Sequence, residues 1–364
     1  MSVSDENIEI DNIEAELTRL FNEGQKKGEI RGCLFNLIIY SQDLHRSIFL
    51  NEIVQTVIET FPCRIIFIEC DPSSTEKRYL KVSAEQPIVK KEASVITCDR
   101  INIHCSSHFL NRVPYIVLPN FVPDLPIYLL WGQDPSLENE ILPFLENYAT
   151  RLIFDSDSSC DIRAFCRKML SDQVFKKIPV TDMNWASLTS WRDILYQIFD
   201  SEEKIDLLQH CTQLTIQYNN KKSDVYQHTE RRSIYLQGWL ASQLNWQYTR
   251  SEYTDDHLKI TYDNGQGNTE VRLIGKNIPE LTPGAIVNVE VQTSNDIIYD
   301  FSRLNVQPFI KAHITMRDTC ELPITLPLRH SKKGLLFMNE IFFVPCSPHY
   351  WNMLKAIEPI QVPC

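Results

Sequence analysis

Two short apolar runs, Cys33-Leu-Phe-Asn-Leu-Ile-Ile-Tyr40 and Arg64-Ile-Ile-Phe-Ile-Glu-Cys70, flank a segment in which Ile48, Phe49, Ile53, Val57 and Ile58 recur at helical spacing. Nearly continuous apolar runs of this length mark strands buried on both faces. Strand, helix and strand in that order form parallel neighbours joined by a crossover over one face of a sheet. That unit excludes an all-helical bundle and an all-antiparallel sandwich for the first half of the chain.

The pattern continues in the same class. Residues 8–21 carry Ile10, Ile13, Leu17, Leu20 and Phe21 as a helical stripe, and residues 95–105 alternate like a half-exposed, antiparallel strand. Residues 126–131 and 151–156 read as further strands, with helices over 136–148 and 161–170. The first domain is therefore expected over residues 1–175, an α/β domain with a mostly parallel or mixed sheet flanked by helices. Beyond it the character changes. Helices are expected near 203–217 and 225–244, and from Tyr248 onward the period becomes two. Asp263-Asn264-Gly265 between two alternating runs signals a hairpin. Residues 176–364 thus read as an α+β domain with helices and an antiparallel sheet, opening on a tryptophan-containing helix.

Composition excludes several functions. A formal charge of −11 on 364 residues opposes binding to nucleic acid or to an anionic membrane. No apolar stretch is long enough for a membrane span, and the acidic first 25 residues do not resemble a secretory signal. The 11 cysteines include no Cys-x-x-Cys pair and read as reduced, mostly buried side chains of a cytoplasmic protein. With only 10 glycines, the nearest approach to a phosphate-cradling loop is Gly265-Gln-Gly267, which reads as a β-turn, so no cofactor is expected. Cys98, His104, Cys105 and His108 are the densest Cys/His group. Adjacent strand residues point to opposite faces, so no metal site is expected there. No Cys or Ser has an identifiable base and acid partner, and no catalytic residue is assigned.

The most distinctive stretch is Asp182-Met-Asn-Trp-Ala-Ser-Leu-Thr-Ser-Trp-Arg192. Trp185, Leu188, Trp191, Leu195 and Ile198 fall on one helical stripe, which favours a core element over a contact surface. Thr189 or Ser190 is placed to cap a helix, with Asp193 in the capping-box position. Asp182 and Arg192 are the candidates for pairing the polar groups that such burial would strand. In Phe121-Val-Pro-Asp-Leu-Pro126, the prolines stiffen the entry to the following strand and hold Asp124 in a defined place.

These segments together resemble the OpcA family of glucose-6-phosphate dehydrogenase assembly proteins. Pro123-Asp124-Leu125-Pro126 and the strand ending in Trp131 match the family's strand entry. Ala149-Thr-Arg151-Leu-Ile-Phe-Asp155-Ser156 is similar to a later element. Asp182, Asn184, Trp185, Leu188, Thr189, Trp191 and Arg192 match its tryptophan block. Asn36-Leu-Ile-Ile39 upstream and Tyr235-Leu-Gln-Gly-Trp-Leu-Ala-Ser-Gln-Leu-Asn-Trp246 downstream follow in the same order. Gly132 stands where many members carry a basic residue, Leu130 replaces a first tryptophan, and Ser187 replaces an arginine. The resemblance implies a non-catalytic protein that binds glucose-6-phosphate dehydrogenase and favours its active oligomer, tuning NADPH production by the oxidative pentose phosphate pathway. The matched residues would then be structural or partner-binding. The alternative is an enzyme acting on sugar phosphates or sugar lactones through Asp124, Asp155 or Arg192.

Overall fold

The computed structural model describes residues 9–26, 28–72, 78–91, 94–254, 257–304, 307–316, 319–320, 322–328, 335–344 and 347–362. They divide into two compact units. One draws on Met1–Asp155 and Gln173–Val180, the other on Ser156–Asp172 and Thr181–Cys364.

The first unit is α/β. Helix α1 (Ile13–Gln25) precedes β1 (Asn36–Ser41), α2 (Leu44–Thr60), β2 (Arg64–Asp71), β3 (Leu80–Glu85), β4 (Arg100–Ser106), β5 (Ile127–Trp131) and β6 (Arg151–Phe154). The strand order is β6-β5-β1-β2-β4-β3. All these neighbours run parallel except β3 with β4. β1 lies in the interior and is buried along its whole length, as its unbroken apolar run requires. Asp43 starts α2 by accepting from the Arg46 N–H, and Pro62 follows its end. A separate three-stranded sheet joins Ile30–Arg31, Ser94–Thr97 and Ile88–Lys91.

The second unit is built on one large sheet. α3 (Ile162–Ser171), α4 (Met183–Ser187), α5 (Thr189–Ile198) and α6 (Glu202–Gln209) lead to β7 (Cys211–Asn219) and α7 (Arg231–Gln243). Then follow β8 (Gln247–Tyr253), β9 (His257–Asp263), β10 (Asn268–Lys276), β11 (Ile286–Thr293), β12 (Ile298–Arg303) and β13 (Phe309–Met316). Helices α8 (Leu335–Phe342) and α9 (Pro348–Ile357) close the chain. The sheet order is β8-β9-β10-β7-β11-β12-β13, antiparallel throughout except for the β7–β10 pair. α7 packs against α9 so closely that a Cβ on Gly238 would overlap the Ile357 side chain.

The expected fold class is what the structure shows, and several local readings are corrected. The helix expected over 203–217 ends at Gln209, and the rest is β7, an interior strand paired on both sides. Leu214 and Ile216 fit a helical stripe and a strand face equally well, and non-local pairing decides between them. The 95–105 alternation is two strands broken at Cys98 and Asp99. Each pairs antiparallel on one side, as expected, but the second, β4, also lies parallel to β2 and is mostly buried rather than half-exposed. Only Leu142–Leu145 of the expected 136–148 helix is helical. The expected 8–21 helix begins as a 3-10 turn at Ile10–Asn12 and continues to Gln25, with residue 8 outside the described residues. Cys160 is exposed and disulfide-bonded, correcting the reading of all cysteines as reduced; its loop position leaves the sulfur open to a partner that core packing would exclude.

Gly132 follows β5, and its N–H donates to the Tyr40 carbonyl at 2.9 Å. A Cβ there would lie 2.8 Å from that backbone oxygen and 2.6 Å from Leu50 Cδ1. Gly132→Ala is therefore expected to lower unfolding free energy by about 1–3 kcal/mol in chemical denaturation. Gly267→Ala, where a Cβ meets nothing within 4 Å, should stay within about 0.5 kcal/mol of the parent.

Candidate functional site

The tryptophan segment begins with a buried carboxylate. Asp182 has extended backbone angles (φ −127°, ψ 140°) and caps α4. Its Oδ1 accepts from the Asn184 N–H at 2.7 Å and the Trp185 N–H at 3.1 Å. Ser156 supplies two further donors, its N–H to Oδ2 at 3.0 Å and its hydroxyl to Oδ1 at 3.1 Å. Asn184 Nδ2 donates to the Ser156 hydroxyl at 3.0 Å, and Asn184 Oδ1 accepts from Arg232 Nε at 3.2 Å. Ser156 and Asp182 are completely buried. Removal from water outweighs these donors and pushes the Asp182 carboxyl up to about 6.

The segment is two helices rather than one. The Ser187 hydroxyl donates to the Asn184 carbonyl at 2.7 Å, and the Thr189 hydroxyl donates to Ala186 O at 2.8 Å. Such bonds satisfy carbonyls at the end of α4, and Leu188 (φ −91°, ψ −1°) makes the bend. The expected cap at Thr189 or Ser190 is thus corrected: Leu188 occupies the cap position without a side-chain bond, and the capping carboxylate is Asp182. Arg192 stacks on the Trp185 ring, its guanidinium carbon 3.7 Å from the ring centroid. It donates to the Trp185 carbonyl at 2.6 Å, to the Thr189 hydroxyl at 3.2 Å and to Glu340 at 3.3 Å. Burial lowers its pKa to about 10. Trp185 also meets the Tyr350 ring at 5.7 Å, while Leu188 and Trp191 are buried.

Ser156, Asp182, Asn184, Trp185, Thr189 and Arg192 therefore form one bonded cluster, in which Asp182 is sealed among donors and works as a structural anchor. The other expected residues belong to the first unit. Pro123 and Asp124 are exposed in a turn, Asp124 with φ +62°, and Leu125 is half-buried. Asn36 fixes this turn, accepting from the Val122 N–H at 2.8 Å and donating to the Val122 carbonyl at 3.1 Å, while the Pro126 carbonyl accepts from the Asn36 N–H. Trp131 stacks on Tyr40 at 4.1 Å and 10°. Arg151 is buried beside Tyr128, and Asp155 forms a buried ion pair with Arg46.

Sequence reasoning missed Arg46, Arg232, Glu340 and Tyr350 as partners, and nothing in local spacing marks them. Asn36 did leave a signal, a lone amide at the head of an apolar strand. The buried Asp99, bonded to Arg31 and to Arg64 (2.8 Å), left none.

Residues 54–171 match the family model described as glucose-6-phosphate dehydrogenase subunit N-terminal domain, and residues 178–319 match its C-terminal domain. The two matches follow one another in chain order and place both stretches in one family. The chain belongs to the OpcA family. It is 29% identical over 209 residues to the OxPP cycle protein OpcA of Synechococcus elongatus, covering 57% of this chain and 44% of that protein. The Nostoc punctiforme protein of the same name is 26% identical over 231 residues, covering 62% and 48%. The chain thus spans less than half the length of these relatives. Among solved structures, a 3-ketoreductase from Actinomadura kijaniata is similar at a TM-score of 0.48 and 11% identity, over 91% of this chain and 96% of that one. A likeness at that level carries no argument about function.

Asp182 gives the cluster a pH signature. Its folded pKa, about 6, lies above the ordinary aspartate value. The stability it contributes is thus fully present below about pH 4 and lost as pH rises through about 6. Asp182→Asn should remove this dependence. In urea titrations between about pH 4 and 7, the parent should gain on the order of 3 kcal/mol relative to the variant toward the acid end.

Proposed function

We propose that this chain is a binding subunit for glucose-6-phosphate dehydrogenase that performs no bond chemistry of its own and favours the enzyme's active assembly. The observation that supports this reading is the ordered match of residues 54–171 and 178–319 to the N- and C-terminal domain models of the dehydrogenase-subunit family. The tryptophan cluster supports it. The most distinctive motif of the chain commits Asp182, Asn184 and Arg192 to internal bonds. Its role on this reading is to hold α4 and α5 rigid behind whichever surface meets the enzyme.

The mechanism is linkage. A protein that binds one assembly state better than another shifts the population toward it, by as much as its difference in affinity. A tenfold change in the active fraction needs about 1.4 kcal/mol of differential binding. Control of NADPH supply through the oxidative pentose phosphate route would follow from that shift.

Mixing the chain with the dehydrogenase should raise both its sedimentation coefficient and its turnover. No change in either across the micromolar range would refute the proposal. Trp191→Ala separates structure from contact. Its indole is 4% exposed, so truncation should cost about 3–5 kcal/mol of stability. Below its lowered melting point the variant should still bind the dehydrogenase within about threefold of the parent, a difference of under 1 kcal/mol.

A further inference from the structure

The large sheet of the second unit has two unlike faces. One carries Ile216, Ile260, Leu273, Val289 and Phe301, all buried, and α7 packs on it with Gln237 accepting from the Tyr262 hydroxyl at 2.7 Å. The opposite face is polar and mostly half-exposed. Strand register sets Lys259, Arg272, Thr215, Glu290, Asp300 and His313 in one row across β9, β10, β7, β11, β12 and β13.

The charges in that row are ordered. Lys259 and Arg272 are 29% and 41% exposed and share one carboxylate, Glu270, while on β8 Glu252 lies opposite Lys259 and pairs with Arg250 at 3.5 Å, so that side keeps three cations against two carboxylates. Beyond Thr215, Glu290 lies directly opposite Asp300 on the neighbouring strand. Like charges in directly opposed positions destabilise a strand pair. Among the described residues neither makes an ion pair, and Asp300 is bonded only to the neutral Asn288 (2.7 Å) and Ser302 (2.7 Å) side chains. The row thus reads positive, positive, neutral, negative, negative from β9 to β12, with β7 at its centre.

We propose that this face is a homodimer interface. A second copy packs face to face on it about a two-fold axis lying in the interface and running along β7. Such an axis exchanges β10 with β11 and β9 with β12 while preserving height along the strands. Arg272 then meets the partner's Glu290, and Lys259 meets the partner's Asp300. Thr215, with Gln213 and Gln217 before and after it, faces its own copy. The pattern selects a second copy of this chain over another protein, because only self-association requires positive and negative halves to mirror each other about one strand. Six strands of about seven residues, at about 4.8 Å by 3.4 Å, offer roughly 700 Å² per copy. That is close to the ~800 Å² per partner of a standard interface.

Sedimentation equilibrium of the chain alone tests this. The parent should be a dimer at micromolar concentration, and a monomeric parent would overturn the proposal. Arg272→Glu and Glu290→Arg should each weaken self-association by at least about tenfold. Their equimolar mixture should dimerise again, because both cross-pairs are then complementary. Folding of each variant is checked by thermal melting, and recovery in the mixture requires that both are folded. A dimer that neither reversal weakens, or variants that stay apart when mixed, would contradict the proposal. So would a monomeric parent in which Arg272→Glu abolishes binding of the dehydrogenase, which would assign the face to that enzyme.

Discussion

A carboxylate with no access to water holds the start of α4, and with it the tryptophan segment, in place. Asp182 collects two N–H groups from the start of α4 and two donors from Ser156, 26 residues upstream. Each donor would otherwise be a buried unpaired group, and the anchor serves them together. From this point the aromatic packing follows. α4 presents Trp185 to Tyr350 and to the Arg192 guanidinium, which also caps the carbonyl of the residue it stacks on. Helix end, ring stack and ion pair to Glu340 are thus joined through one arginine, a geometry that lysine could not reproduce.

The cluster stiffens a scaffold more than it offers chemistry. A catalytic carboxylate must reach a reacting proton, and a carboxylate saturated by four backbone and hydroxyl donors is committed elsewhere. In the first unit the same economy recurs on a smaller scale. Asn36 fixes the backbone of the strand entry at Val122, and Tyr40 and Trp131 stack across neighbouring parallel strands. Both units spend their most distinctive residues on rigid internal geometry, which suits a protein whose proposed work is to present a fixed surface to a partner.

Much of this was legible in the sequence where the signal was local. The unbroken apolar runs of β1 and β2 have few alternative readings, and α2 was legible as a helix, but its buried face is Leu50, Val54, Val57 and Ile58, with Ile48 exposed. β7 was not legible: its apolar residues satisfy two periods, and only pairing with β10 and β11, far away in sequence (Gln213 with Glu270, Cys211 with Thr293), makes it a strand. The Asp155-Ser156 and Asp182–Arg192 elements were each recognisable, yet the bond between Ser156 and Asp182 depends on the tertiary path and leaves no trace in spacing. Arg232 and Glu340 were invisible for the same reason, since a lone charged residue reads as solvated until its surroundings are known.

The central claim, that a sealed carboxylate holds the tryptophan segment as part of the core, is tested most directly by native-state hydrogen exchange at the Asn184 and Trp185 amides. Both N–H groups are bonded to Asp182, so they should exchange only through unfolding of the whole second unit, with the same denaturant dependence as global unfolding. Exchange of either amide through small local fluctuations, insensitive to denaturant, would contradict the account.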